Sequence, residues 1–308
     1  MSVNAPAPTL TAGTAGRQPD TARQNHAVIT RTRGYLRIST EPAPEAAAQL
    51  ESEGWALLAG VLTAEEVAEL REDIDRVFDE YPPDERVPDR PDSHWDPFRY
   101  EMLNRSAVAQ RTVGHPDVLA VLEPLLGPDC HVIANTAWRQ PPEESDHGGR
   151  FWHIDAGPHV PRPPGVPWDE RIPYPIFAVA AHFLLVDCPR EAGPTAVIPG
   201  SHRSGQAPPG REREDPELTW EGHAPVWLTG KAGDVVLFVS DVWHRRMPSG
   251  AGDPGRYFLQ CHYGRRDLAQ RLRRTADANQ LSPEAIERAG SARERALLGL
   301  HEPFFYDG

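Results

Sequence analysis

The sequence predicts a mainly β protein with flanking helices, whose β-core is a sandwich or a barrel. Helical patterns occupy the first part of the chain, whereas from His131 onward short β-branched and aromatic runs alternate with Pro and Gly. The 308 residues contain no internal repeat and suffice to bury a large core without disulfides or a structural metal. We therefore interpret residues 28–308 as one domain, with a helical part at 45–127, a β-core at 130–265 and a helical end at 266–308.

Two helices and a short strand are predicted in the first part of the chain. Residues 54–58 form an apolar run that ends near a glycine, which predicts a strand. Thr63 followed by Glu66 is a capping box, and apolar residues then recur at helical spacing until a Pro-Pro pair stops the helix. A second helix is predicted to begin at Pro116 and to end before Gly127.

The rest of the chain is predicted to contain six strands and a last helix that begins at Ser282. These strands are short β-branched and aromatic runs, and stretches with Pro and Gly separate them. Residues 1–27 are rich in Ala, Pro, Thr and Gly without an apolar period, which predicts a disordered tail. The strands are predicted near residues 131–138, 150–155, 176–186, 194–198, 234–239 and 256–263.

Composition excludes several classes of partner. A formal net charge of −13 repels the phosphate backbones of nucleic acids and the surfaces of anionic membranes. No apolar run has the length of a membrane span. The three cysteines are widely spaced, which argues against a disulfide framework and a zinc site and suits a reducing cytoplasm. We therefore expect a cytoplasmic protein without nucleic-acid or membrane partners, whereas the oligomeric state stays open.

Three His-X-Asp tripeptides occur in the chain, and about one is expected by chance. Side chains two residues apart share one face of a strand, so such a pair can bind one metal from a strand. The tripeptide at 94–96 lies among prolines, which predicts a loop, and Pro116 places the tripeptide at 115–117 at a helix start. His153 and Asp155 follow an aromatic pair in a predicted strand, and they are the best candidates for metal ligands.

A third ligand and a co-substrate anchor are predicted further along the chain. His244 lies just past the buried run 235–238, and Arg256 opens the next strand. Two imidazoles and one carboxylate form the facial triad of Fe(II) oxygenases, which leaves positions for a bidentate 2-oxo acid and O₂. Arg256 offers a guanidinium fork to the remote carboxylate of 2-oxoglutarate. The cofactors predicted by these residues are Fe(II), 2-oxoglutarate and O₂.

Four stretches carry more specific motifs, namely residues 54–62 before an acidic helix, 153–155, 192–202, and 233–238 with His244 and Arg256. With these motifs the sequence resembles the phytanoyl-CoA dioxygenase family of Fe(II)/2-oxoglutarate oxygenases. The resemblance implies a double-stranded β-helix, or jelly roll, flanked by helices. It also implies that the iron ligands are His153, Asp155 and His244.

The same resemblance assigns residues to the co-substrate. It implies that Arg256 binds the distal carboxylate of 2-oxoglutarate and that Thr136 and Thr195 lie beside the co-substrate. His182 takes a position at which the family often has a tryptophan. Because Asp155 is present, the resemblance excludes the halogenase variant, in which a small residue replaces the carboxylate.

The resemblance implies a dioxygenase that hydroxylates a C–H bond of a small molecule and releases succinate and CO₂. A composition rich in Ala, Arg, Pro and Gly is typical of a high-GC bacterium, in which family members often tailor secondary metabolites. The alternatives are desaturation, cyclisation or epoxidation with the same cofactors, hydroxylation of a protein, and a non-catalytic jelly-roll binding protein. No basic cluster for the phosphates of coenzyme A is evident, so the family name does not predict the substrate.

Three segments are candidates for the mouth of the site. They are residues 94–104, residues 141–152 and the Pro-rich loop 158–175, since long loops often form lids in enzymes. On the last long strand, residues an even number of positions after Arg256 share its face. The side chains predicted to contact the substrate are Phe98, Tyr100, Asn104, Arg150, Trp152, Gln260 and His262.

Overall fold

The structure, a computed structural model, describes most of the chain between residues 28 and 301. Among the helices it describes, none combines the length and the apolar character that crossing a membrane requires. The predicted disordered tail, residues 1–27, lies outside the described residues. The described ranges are 28–32 and 35–39 (backbone only), 44–82, 98–142, 149, 151–155, 157–169, 171–270, 272 and 281–301.

The described residues form both helices and strands in the predicted order, with the helices at the two ends. The helices are α1 (Glu45–Glu53), α2 (Ala64–Glu80), α3 (Met102–Arg105), α4 (Ala107–Thr112), α5 (Pro116–Leu126), α6 (Pro283–Arg288) and α7 (Ala292–Leu297). The strands are β1 (Val28–Thr32), β2 (Tyr35–Ser39), β3 (Trp55–Leu58), β4 (Phe98–Tyr100), β5 (His131–Gln140), β6 (Ala178–Leu184), β7 (Thr195–Val197), β8 (Val226–Trp227), β9 (Val235–Val239), β10 (His244–Arg246) and β11 (Arg256–Gly264).

The two predicted N-terminal helices are confirmed. The hydroxyl of Thr63 accepts a hydrogen bond from the backbone N–H of Glu66 at 3.2 Å, and the Glu66 carboxylate accepts from the N–H of Thr63 at 2.8 Å. This capping box starts α2, whose apolar face is buried. Helix α5 runs from Pro116 to Leu126, so the tripeptide at 115–117 does start a helix.

Two antiparallel sheets form the β-core, in agreement with the predicted jelly roll. The large sheet has the strand order β3-β9-β6-β11-β5-β4, and the small sheet has the order β10-β7-β8. Side chains of both sheets meet in one apolar cluster, which contains Phe238 and Phe258 from the large sheet and Val197 from the small sheet. The inner face of the large sheet is therefore the face that looks toward the small sheet.

The two faces of the large sheet have different neighbours. Along β11, every second residue from Tyr257 to Tyr263 belongs to the main hydrophobic core, together with the buried faces of α1, α2 and α5. Because side chains alternate along a strand, the residues between them lie on the inner face. The inner-face residues of β11 are Arg256, Phe258, Gln260 and His262.

One predicted strand is reduced to a single bridge. Of the strand predicted near 150–155, the described residues retain only the pairing of His153 with His244, whose backbone groups exchange two hydrogen bonds of 2.9 Å. The N–H groups on either side donate instead to the carbonyls of Arg213 and Ser240. Because these partners lie in two separate segments, near residue 213 and at 240–244, the segment forms one bridge to the edge strand β10 and no continuous ladder.

The predicted last helix is divided into two. Ser291 and Glu294 form a second capping box, and this box starts α7 only three residues after α6 ends. Helix α1, the hairpin β1–β2, the strands β4, β8 and β10, and the helices α3 and α4 were not predicted. All except α1 have six residues or fewer, too short for a periodic pattern to reveal them. Helix α1 has nine residues, but only Ala47 and Leu50 are buried, so its apolar pattern is weak.

The turn at the end of the 192–202 stretch caps helix α1. The backbone N–H of Gly200 donates to the carbonyl of Glu53 at 2.8 Å, and Nε2–H of His202 donates to the carbonyl of Glu51 at 3.0 Å. Gly54 ends the helix with φ 84°, and a Cβ at this position would lie 2.6 Å from Nδ1 of His202. The position of the His202 ring therefore requires a glycine at position 54, and His202 has a structural role at the end of α1.

Candidate metal and co-substrate site

His153, Asp155 and His244 converge at one end of the space between the sheets. One potential ligand atom from each residue lies within 4.8 Å of the other two. The backbone bridge holds the two imidazoles side by side, with ring centroids 4.3 Å apart, and the N–H of Asp155 donates to the carbonyl of Ser240. No other group of three His, Cys, Asp or Glu side chains in the described part of the chain is close enough to hold a metal.

Backbone carbonyls orient both imidazoles. The Nδ1–H of His153 donates to the carbonyl of Phe151 at 3.0 Å, and that of His244 to the carbonyl of Val242 at 2.9 Å. Carbonyl oxygens only accept, so each Nε2 keeps its lone pair for a metal. These Nε2 atoms lie 4.0 Å and 3.4 Å from the same oxygen, Oδ1 of Asp155. The three side chains thus present two nitrogen lone pairs and one carboxylate oxygen toward one point, as a facial triad requires.

The carboxylate and the imidazoles stabilise each other's charged forms. Desolvation alone would raise the pKa of Asp155, but His244, followed by His262 and His153, holds it well below its usual range. Desolvation would likewise lower the pKa of His244, and Asp155 raises it. A bound cation would compete with a proton for Nε2 of His244, because a ligating imidazole must be neutral.

Arg256 places a buried cation on the same inner face. It is 6% exposed, and its guanidinium lies 5.1 Å from the ring of Phe258 and 5.7 Å from that of Trp138. Burial, and then the neighbouring Arg246, lowers the pKa of Arg256 to about 10, so the group stays charged at neutral pH. Its Nε has no hydrogen-bond partner among the described residues. A carboxylate of a bound co-substrate could satisfy this buried donor.

His182 and Thr136 lie in one row across the inner face, on either side of Gln260. Both are buried, and the ring of His182 stacks on Phe258 with centroids 4.5 Å apart. Burial, and then Arg256, lowers the pKa of His182 well below its ordinary value, so the imidazole is neutral. Within the described part of the chain, its Nε2 is a buried polar atom without a partner. This row fits a polar co-substrate between the triad and Arg256.

The small sheet contributes Thr195 to the opposite wall. Thr195 and Val197 are two residues apart on β7 and share a face, and Val197 belongs to the apolar cluster between the sheets. Thr195 is buried and pairs with Arg246 across the small sheet. The residues assigned to the co-substrate from the sequence therefore border one space.

The inner face is open at the metal end. Gln260 and His262 are only partly buried although they lie on a central strand, and the cross-strand partners of His262 are Ala134 and Ala180. These small side chains leave the imidazole accessible. Its Nε2 lies 3.7 Å from Oδ2 of Asp155, and burial lowers its pKa. The structure thus places His262 beside the triad and Gln260 in contact with His262.

Two other predicted substrate residues do not reach the site. Trp152 is 1% exposed in the apolar cluster on the far side of the small sheet, and its indole N–H donates to the carbonyl of Asp215 at 2.7 Å. It follows that this side chain points away from the adjacent His153. The amide oxygen of Asn104 accepts from the N–H of Ser282 at 2.9 Å and joins α3 to α6. Both side chains are hydrogen-bonded within the fold, and their contact with a substrate stays a prediction.

The remaining substrate predictions fall on the edge of the large sheet or outside it. Phe98 and Tyr100 pair with Trp138 and Thr136, so they lie on the inner face but on the edge strand. Phe98 is buried edge-on against Trp138, with ring centroids 3.8 Å apart. Arg150 lies outside the described residues.

The Pro-rich loop contains an oriented histidine that sequence analysis missed. Both the backbone N–H and Nδ1 of His159 bind the carboxylate of Asp241, which is buried, and the imidazole stacks on Phe177. The segment also contains Gly157, at φ 109°, where a Cβ would lie 2.9 Å from this carboxylate. A glycine followed two residues later by a histidine is too common a pattern to reveal a partner 82 positions away.

Comparison of the sequence with models of protein families finds one match. The model described as phytanoyl-CoA dioxygenase (PhyH) matches residues 50–248, which is more than half of the chain. No curated protein matches the sequence significantly.

Solved structures share the fold at low sequence identity. EctD from S. alaskensis, solved with 2-oxoglutarate and 5-hydroxyectoine, is 21% identical with a TM-score of 0.58, over 84% of this chain and 87% of its own. The epimerase SnoN, solved with Fe³⁺, alpha ketoglutarate and nogalamycin RO, is 22% identical with a TM-score of 0.54, over 73% and 84%. HygX from Streptomyces hygroscopicus, solved with nickel and 2-oxoglutarate, is 18% identical with a TM-score of 0.52, over 73% and 88%. These matches establish the fold.

Proposed function

The chain belongs to the phytanoyl-CoA dioxygenase family and is a 2-oxoglutarate-dependent non-haem iron oxygenase, and from this premise we propose that it hydroxylates a C–H bond of a small molecule. The observation that carries the proposal is the convergence of two imidazoles and a carboxylate near a buried arginine on one inner face. When bound, Fe(II) and 2-oxoglutarate activate O₂ and supply the oxidising power for hydroxylation, with release of succinate and CO₂.

His153, Asp155 and His244 are the proposed metal ligands. Their support is the shared direction of the two Nε2 lone pairs and Oδ1, together with the backbone hydrogen bonds that fix each Nδ1–H. Two neutral imidazoles and one carboxylate leave a net charge of +1 on a bound Fe(II). This residual charge favours an anionic co-substrate at the open coordination positions.

Arg256 is the proposed partner of the distal carboxylate of 2-oxoglutarate. Its support is a buried, charged guanidinium whose Nε has no acceptor among the described residues. Thr136, His182 and Thr195 are proposed to line the co-substrate. His182 is supported by its partnerless Nε2, and the two threonines by burial on facing walls.

The proposed substrate is a small molecule of bacterial secondary metabolism. SnoN and EctD were crystallised with nogalamycin RO and 5-hydroxyectoine, both small molecules, and the Ala-, Arg-, Pro- and Gly-rich composition suits a high-GC bacterium. Gln260 and His262 line the metal end with polar atoms, and Ala134 and Ala180 leave room beside them. This combination favours a compact, polar substrate.

Turnover with Fe(II), 2-oxoglutarate and O₂ tests the proposal, with succinate and products measured by mass spectrometry over a set of bacterial metabolites. A product heavier by one oxygen supports hydroxylation, whereas a loss of two hydrogens indicates desaturation or cyclisation. His153→Ala should abolish succinate formation, and His223→Ala, an exposed histidine outside the site, should not change it. A parent protein that forms no succinate contradicts the oxygenase function and favours a binding protein.

A further inference from the structure

Three hydrogen-bonding side chains run along the inner face toward the metal triad. The indole N–H of Trp138 donates to Oε1 of Gln260 at 2.9 Å, and Nε2 of Gln260 lies 3.0 Å from Nε2 of His262. An indole nitrogen cannot accept a hydrogen bond, so Trp138 determines which end of the amide faces it. The amide nitrogen of Gln260, which only donates, is therefore the atom that faces His262.

The amide in turn fixes the tautomer of His262. Because Gln260 donates, Nε2 of His262 must accept, and the ring proton of the neutral imidazole sits on Nδ1. The hydrogen bond to Gln260 at Nε2 is the one that the described residues make with this imidazole, which leaves Nδ1–H without an acceptor among them, and 15% of the side chain is exposed. His262 thus presents one accessible N–H donor. Gln260 and Trp138, on the same face, determine that this donor is Nδ1.

A molecule that reacts at the metal must come close to this imidazole. Nε2 of His262 lies 3.7 Å from the carboxylate of Asp155, a proposed ligand. The cross-strand neighbours Ala134 and Ala180 have only methyl side chains, so His262 is the longest side chain of its row across β5, β11 and β6. It is therefore the polar group of this row that a substrate meets.

We propose that His262 positions the substrate by donating its Nδ1–H to a substrate oxygen, and that Gln260 and Trp138 are positioning residues that act through it. The inference rests on the proposed oxygenase function and adds a substrate class. The substrate carries a carbonyl, hydroxyl or carboxylate oxygen near the reacting carbon. A compound whose polar groups only donate, such as an alkylammonium ion, does not match this tautomer.

The tautomer is tested by ¹⁵N NMR of ring-labelled histidines in the protein loaded with diamagnetic Zn(II) and 2-oxoglutarate. His262→Asn identifies the resonances of His262. We expect a protonated Nδ1 and an unprotonated Nε2 in the parent, and a mixture of both tautomers in Gln260→Leu. Gln110→Leu, a matched change on α4 away from the site, should leave the His262 resonances unchanged.

Substrate class is tested with two small probes in the same sample. Cyclopentanone only accepts hydrogen bonds, and cyclopentylammonium only donates them. In the parent, we expect cyclopentanone to shift the Nδ1–H resonance of His262. We also expect it to bind about 3- to 10-fold more tightly than cyclopentylammonium, which is the effect of one neutral hydrogen bond. In Gln260→Leu the preference for cyclopentanone over cyclopentylammonium should fall below about 2-fold.

Three results overturn the inference: protonated Nε2 in the parent, no response of His262 to cyclopentanone, or binding of cyclopentylammonium at least as tight. These measurements need no turnover, so they separate the two proposals. If the tautomer and the preference hold but the Fe(II) protein forms no succinate, the oxygenase function fails and the donor site stands. If succinate forms and the preference is absent, His262 does not position the substrate.

Discussion

Strand β11 divides two regions whose side chains have different roles. On its outer face, Tyr257 and Tyr263 belong to the main hydrophobic core, and the hydroxyl of Tyr263 donates to the carbonyl of Val113 at 2.7 Å and that of Tyr257 to a carboxylate oxygen of Asp75 at 2.9 Å. On the inner face, Arg256 has a buried nitrogen atom without a partner in the described residues. Buried polar atoms are normally paired, so this nitrogen supports a bound carboxylate on the inner face.

The difference shows that one strand can specify the fold with one set of alternate residues and the chemistry with the other. The outer set is large and fully packed, so its loss should lower stability. The inner set is polar and partly open, so its loss should change ligand binding. Leu259→Ala and Arg256→Lys test that division by both stability and co-substrate binding, and His202→Gln and Trp152→Phe test residues assigned to the fold.

Leu259→Ala should have the largest effect, on the outer face. Leu259 is fully buried, so the substitution leaves a cavity and should lower the free energy of unfolding by about 2–5 kcal/mol in urea denaturation. The 2-oxoglutarate concentration needed for half-saturation of the folded protein should change less than about 2-fold. A variant that stays stable but loses co-substrate affinity contradicts the division between the faces.

His202→Gln should remove a pH dependence that belongs to the fold. Burial lowers the pKa of His202 from an ordinary value of 6.5 to about 4, so as pH falls between these values the unfolded chain takes up a proton that the folded protein does not. Stability is therefore lost as pH falls, by about 3 kcal/mol at most. Urea unfolding at pH 7, 6 and 5 should show a shallower decline in the variant, and an unchanged decline argues against the assignment.

Arg256→Lys tests the inner face. Lysine keeps the positive charge but loses the planar fork, so half-saturation should require at least about ten times more 2-oxoglutarate, with little change in unfolding. Arg171→Lys, at an exposed position, is the matched control. Equal affinities in both variants would show that the distal carboxylate binds elsewhere.

Trp152→Phe should have the smallest effect, although Trp152 precedes a proposed ligand. Loss of the indole N–H bond to Asp215 should lower stability by about 1 kcal/mol. Half-saturation by 2-oxoglutarate and product formation should stay at the parent level. A selective loss of product formation would restore Trp152 to the substrate site.

Local patterns predicted the fold well. The capping box at Thr63, the proline that starts α5 and five of the six strands in the second half are found where they were predicted, because each depends on residues close in sequence. The strand predicted at 150–155 was wrong because the hydrogen-bond partners of its described residues come from two distant segments. Hydrogen-bond partners that are distant in sequence do not alter the local hydrophobic pattern from which a strand is predicted.

The predictions for the site likewise agree with the structure where they rest on a local pattern and differ from it where distant residues decide the position. The face shared by Arg256, Gln260 and His262 follows from strand alternation, and the structure places these residues on it. Trp152 was assigned by its nearness in sequence to the site, and adjacent residues of an extended segment face opposite sides. The pairing of His159 with Asp241 spans 82 positions and had no local signal.

The central claim is that the inner face holds Fe(II) through the triad and 2-oxoglutarate beside it. Anaerobic titration of the metal-free protein with both, followed by the visible metal-to-ligand charge-transfer band, tests this most directly. We expect the band in the parent and in Leu259→Ala while it is folded, and no band in Asp155→Ala. A parent without the band, or a band of equal strength in Asp155→Ala, would contradict the assignment of this site.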